Sequence, residues 1–140
     1  MNGTTLKALR TLLFFTPPEA ADLIGGVTER SWRYWENNGR PVPDDVAEKM
    51  TGLAMWRKET IDLNLKWLGK SNTTNLVYYE LDDWMEYGKP SLFHKPMCSA
   101  LAELAAHHGA VLIPFDSEAY LDWLGREFDS DDMRHKWGSL

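Results

Sequence analysis

The chain has 140 residues, 44% hydrophobic and 26% charged, with a formal net charge of −6. That length suits one domain or a small domain with an appendage, and the balance is globular rather than disordered. One cysteine, Cys98, excludes an internal disulfide and fits a reducing compartment. The short apolar run Leu12-Leu13-Phe14-Phe15 is too brief for a secretion signal or a membrane span. A soluble, cytoplasmic protein is expected.

Leu6, Leu9 and Leu13 recur at helical spacing after Thr4 and predict a first helix over residues 4–13. Thr16-Pro17-Pro18-Glu19 then reads as a helix start, with threonine as cap, proline in the first turn and glutamate three residues on. This second helix carries Ala20, Ala21, Leu23 and Ile24 and stops at Gly25-Gly26, where glycine tolerates a left-handed backbone. Thr28 caps a third helix, Glu29 suits its dipole, and Asn37-Asn38-Gly39 ends it.

After Arg40-Pro41-Val42-Pro43, Asp44-Asp45 opens a long helix reaching Leu68, with a candidate break at Gly52. Residues 69–75 are small and polar and read as a linker. A strand is predicted over 76–79, a short helix over 81–87, a helix over 96–107, a strand over 110–115, and a last helix from Ser117 to about residue 128. Residues 129–132 read as a mobile tail.

The third helix carries the strongest functional signal. With successive residues about 100° apart, Arg30, Arg33, Tyr34 and Asn37 share one arc, while Trp32 and Trp35 lie opposite and Ser31 and Glu36 flank them. Two indoles can pack such a helix on its neighbours while its long donors face a groove. Arginine pairs with guanine O6 and N7, and asparagine with adenine N6 and N7. A solvated amphipathic helix has the same pattern; the preceding short helix and glycine turn favour the functional reading.

The negative total opposes DNA binding at first sight, because affinity rests on neutralising phosphates. The charges are unevenly placed, however. Residues 1–40 hold five basic side chains, Lys7, Arg10, Arg30, Arg33 and Arg40, against four acidic ones, so the acid lies elsewhere.

The segment Glu19-Ala20-Ala21-Asp22-Leu23-Ile24-Gly25, followed by Val27-Thr28-Glu29-Arg30-Ser31-Trp32-Arg33-Tyr34-Trp35-Glu36, resembles the lambda repressor/Cro-type helix-turn-helix. More narrowly, Ser31 to Glu36 followed by Val42-Pro43-Asp44-Asp45-Val46 resembles the YdiL-like proteins and the anti-CRISPR-associated autorepressors with the same head. The turn is one residue longer than the usual Cro-type pattern, and Arg33 stands where those relatives usually have glutamine. The resemblance implies a mainly α protein: a helix-turn-helix domain over 1–68, the linker 69–75, and a small α+β dimerisation domain over 76–140. It further implies a homodimeric transcriptional repressor recognising an inverted repeat in double-stranded DNA. Carried over by position, Thr28, Glu29, Arg30 and Arg33 fall near bases and phosphates, and Thr16 near a phosphate. Tyr34, Asn37 and Arg40 complete the candidate surface.

Other constellations give less. His94 and Cys98 stand four apart and His107-His108 follow, but no ligand pattern supports a metal. The paired acids at 82–83 and 129–132 read as solvated surface. No phosphate loop or nucleophile elbow occurs, so neither catalysis nor a cofactor is expected. Trp56, Trp67, Tyr78, Tyr79, Trp84 and Trp123 read first as core, then as dimer interface rather than ligand pocket. Two alternatives stay open: an antitoxin-like interaction module using the C-terminal half, and RNA binding by the same basic face.

Overall fold

Most helix starts among the described residues follow a side chain that caps them, though those of the two longest helices do not. A computed structural model describes residues 1–80, 85–86 and 89–140. Helix α1 (Gly3–Leu12) begins earlier than predicted because Asn2 Oδ1 accepts from the Thr5 N–H at 2.8 Å. At α2 (Pro17–Ala20), Thr16 and Glu19 form a reciprocal capping box. The backbone then widens into a π turn, Ala21–Gly25, closed by Gly26 at φ 59°. A π turn absorbs one extra residue, and this one ends at Gly25, where the glycine turn begins. Thr28 caps α3 (Glu29–Glu36), Asn37 ends it, and Asn38 follows at φ 60°.

Helix α4 (Asp44–Lys70) runs unbroken through Gly52, which has open space around it, and passes the predicted end by two residues. Its first half closes the first core with Val46, Met50 and Leu53, against Leu6, Leu13, Ile24, Trp32 and Trp35. Close packing fixes Gly3: a Cβ there would stand 2.1 Å from the Trp35 carbonyl oxygen.

The second half of α4 supplies Ile61 to another core with Leu76, Ala100, Leu101 and Leu104. Strand β1 (Asn75–Tyr78) pairs in parallel with β4 (Val111–Pro114), placing Leu76 beside Leu112. Helix α5 (His94–His108) makes the crossover that a parallel pair requires. Between them, β2 (Met85–Glu86) pairs antiparallel with β3 (Lys89–Pro90). The helix predicted over 81–87 lies mostly outside the described residues, as do Asp82, Asp83 and Trp84; its Met85–Glu86 part is strand. The fold is therefore mainly α with a small α+β part. Among the described residues no helix is long and apolar enough to cross a membrane.

The C-terminal segment departs most from expectation. Helix α6 (Ser117–Leu124) is capped by Asp116, one residue before the predicted cap, and ends at Gly125. Residues 129–132 are not a loose tail. Ser130 caps α7 (Asp131–Gly138), and Asp129 accepts hydrogen bonds from Tyr120 and Arg134. The Arg134 guanidinium covers the rings of Tyr79, Phe115 and Tyr120 at 4.9–5.5 Å. Asn75 Nδ2 donates to the Gly138 carbonyl at 3.0 Å, holding α7 to β1.

The two cores also meet through polar contacts. Ser99 on α5 donates to the Leu12 carbonyl at the end of α1, 2.5 Å, and accepts from Arg57 Nε on α4, 2.8 Å.

Donation from Arg134, then from Tyr120, lowers the Asp129 pKa to about 2 from 3.8. The resulting stabilisation is complete above the ordinary carboxylate pKa and disappears as pH falls through the folded value. Asp129→Asn should therefore melt below the wild type at pH 5, with the gap narrowing as pH falls towards 2. Parallel melting curves followed by circular dichroism check this.

Candidate nucleic-acid interface

The geometry of α3 follows from its two sides. Trp32 is fully buried and Trp35 nearly so, their rings meeting edge to face with centroids 5.6 Å apart. The opposite arc is outward: Arg30, Arg33, Tyr34 and Asn37 are exposed. These four and Glu29 line one shallow concavity, so the structure brings together five of the eight candidate residues there.

Tyr34 organises this surface. Arg30 Nη2 donates to its hydroxyl at 3.1 Å, and the guanidinium groups of Arg30 and Arg40 lie 5.7 and 5.2 Å from its ring centre. Arg40, beyond the helix, thereby joins the face. Arg33 is paired with Glu29 one turn back, at 2.7 Å. Arg30 and Arg40 have no carboxylate partner among the described residues. Thr28 sits at the head of the helix, its Oγ1 accepting from the Ser31 N–H at 3.2 Å. Thr16 stands apart, outside the concavity, at the start of α2.

The residues that hold the face outward were missed in the sequence. Glu36 reads there as a flank, yet it is 8% exposed. Its carboxylate accepts from Trp32 Nε1 at 2.6 Å, Arg10 Nε at 3.0 Å and Arg10 Nη2 at 2.9 Å. Arg10 Nη1 also donates to the Phe15 carbonyl at 2.9 Å. The available signal was spacing: Glu36 stands four residues after Trp32, on the inward side.

Elsewhere, α5 begins at His94 rather than near Pro96, so His94 and Cys98 do share a face, with Nε2 and Sγ 3.5 Å apart. Burial pushes the Cys98 thiol pKa up, which keeps it protonated. Among the described residues no cluster of three metal-ligating side chains occurs.

Fold and surface together define a mainly helical protein that presents a capped, arginine-bearing helix on buried indoles. The chain belongs to the Aca2/YdiL-like family, whose match covers residues 1–113. It is 40% identical over 86 residues to the Aca2 repressor of Pectobacterium phage ZF40, spanning 61% of this chain and 74% of that one. It is 37% identical over 60 residues to the uncharacterised protein YdiL of Escherichia coli K12, 42% of this chain and 51% of that protein.

Arg10→Met would leave the buried Glu36 carboxylate short of its cation, a loss of about 3–5 kcal/mol. Urea unfolding followed by tryptophan emission should register it. Adding Glu36→Gln should recover part of the loss, since the charge leaves while an acceptor for Trp32 remains.

Proposed function

We propose that the protein is a sequence-specific transcriptional regulator, a homodimeric repressor that binds an inverted repeat in double-stranded DNA. The π-turned α2 and α3 act as a helix-turn-helix, with α3 in the major groove. The observation that carries this reading is the single exposed arc of Arg30, Arg33, Tyr34 and Asn37, backed by buried Trp32 and Trp35. The phage relative, a repressor by name, supports it.

In this reading Arg30 and Arg33 select bases, with Glu29 holding Arg33 extended until DNA is met. Asn37 adds an adenine-reading amide at the end of the helix. Thr16, Thr28 and Arg40 contact phosphates and set register. Tyr34 holds Arg30 through its hydroxyl and Arg40 through its ring. A dimer formed through residues 76–140 would set two reading helices about 34–36 Å apart on successive major grooves.

Selection from pooled random duplexes at two salt concentrations tests the proposal. Enrichment of an inverted repeat is expected; its absence would favour an interaction module, and preference for structured RNA over duplex would assign the face to RNA. Arg33→Ala should relax base preference, costing about 1–3 kcal/mol on the selected site. Arg40→Ala should weaken all sequences alike and reduce the salt slope by about 1. Binding curves for both variants on specific and scrambled duplexes separate these roles.

A further inference from the structure

A cavity of about 450 Å³ lies between α4, β1, α5 and α7, away from the reading face. Its size is within the range of roughly 300–1,000 Å³ common to small-molecule sites. The walls are apolar and aromatic: Trp56 and Trp67 from α4, Tyr79 beyond β1, and Met97 and Leu101 from α5. Residues 114–140 lie beyond the family match, and α7 from that segment supplies the remaining wall with Asp131, Arg134 and His135.

Charge defines the occupant. Arg134 is the strongest cation in the wall, but Asp129 engages its Nε and Nη2 at 3.0 and 2.9 Å, and its guanidinium is spread over three rings. An anion would meet a cation already neutralised, with Asp131 beside it. Asn64 uses one Nδ2 N–H on the Thr60 carbonyl, 2.8 Å, and its Oδ1 is an acceptor on a residue of the wall. Flat aromatic walls, a neutralised cation and a remaining acceptor fit an uncharged planar ring system with one hydrogen-bond donor.

The position of the cavity also ties it to the head. Met97 and Leu101 bracket Ser99, and Trp56 precedes Arg57, so the walls are the same turns of α4 and α5 that grip the Leu12 carbonyl of α1. We propose that this cavity is an effector site for a neutral, planar aromatic molecule bearing a hydrogen-bond donor. Its occupancy spreads α4 from α5, loosens the Ser99–Leu12 contact and weakens binding by the head. The regulatory half rests on the DNA-binding reading above; the ligand site does not.

The test uses the full chain with 2-naphthol as probe and 2-naphthoate and naphthalene as controls, followed by calorimetry. Saturable one-to-one binding of 2-naphthol is expected, with 2-naphthoate weaker by about tenfold because its charge must be desolvated. Leu63→Trp, at an exposed position on the cavity wall, should close the cavity and abolish binding. Asn64→Leu should weaken 2-naphthol about fivefold, the value of one hydrogen bond, and leave naphthalene unchanged. Circular dichroism verifies that both variants fold. Saturating 2-naphthol should weaken DNA binding by about fivefold, an effect absent in Leu63→Trp and in Ser99→Ala. Failure of 2-naphthol to saturate, equal binding of 2-naphthoate, or binding untouched by Leu63→Trp overturns the site. If Leu63→Trp instead splits a dimer in sedimentation while 2-naphthol binding persists, the cavity belongs to a second copy and the proposal falls. Ligand binding without any change in DNA affinity overturns the coupling alone. A protein that binds no DNA even without ligand sinks the functional reading and leaves the ligand site standing.

Discussion

A buried carboxylate is tolerated only where donors surround it, and Glu36 is held by three from two helices. Trp32, one turn earlier on α3, donates its indole N–H; Arg10, near the end of α1, donates twice and reaches on to the Phe15 carbonyl. That single ionic knot sets the angle at which α3 leaves the head. Rotating α3 about its axis would strip Glu36 of its partners and expose both indoles. The outward arc of Arg30, Arg33, Tyr34 and Asn37 is thus the consequence of what lies beneath it.

The same logic governs the join between the two cores. Helix α4 gives Val46, Met50 and Leu53 to one core and Ile61 to the other, so neither half moves without bending one continuous helix. At the crossing point Ser99 satisfies the Leu12 carbonyl where α1 ends and one donor of Arg57. Arg57 also approaches Glu103 at 3.6 Å, and Lys95 reaches Glu19 of α2 at 3.8 Å. Both pairs are half-buried, but at these separations neither makes a hydrogen bond. The buried Ser99 contact is the more consequential, because losing it leaves a main-chain acceptor without its partner.

Much of the head was legible locally. Thr16, Thr28 and Asn37 act at helix ends as their residue types predict, and the 100° step placed both tryptophans inward and both helix arginines outward. Strands 76–79 and 110–115 were read to within a residue at each end. Errors arose where a neighbour in sequence said one thing and a partner in space another. Gly52 looked like a break, yet the packed residues on either side carry α4 through it. The acids at 129–132 looked solvated, but Arg134 and Tyr120 turn Asp129 into the anchor of a final helix.

What the sequence determined alone was therefore periodic or adjacent: caps, turns, and the sidedness of each helix. These depend on hydrogen bonds and dihedral preferences within a few residues, which composition and spacing encode directly. The tertiary structure alone decided that Glu36 is buried on Arg10, that Ser99 joins α5 to the end of α1, and that α7 walls a cavity against α4. Those pairings link residues 26, 87 and, for His135 against Trp67, more than 60 positions apart. Their energies come from desolvating particular atoms against one another, and only the folded chain brings those atoms together.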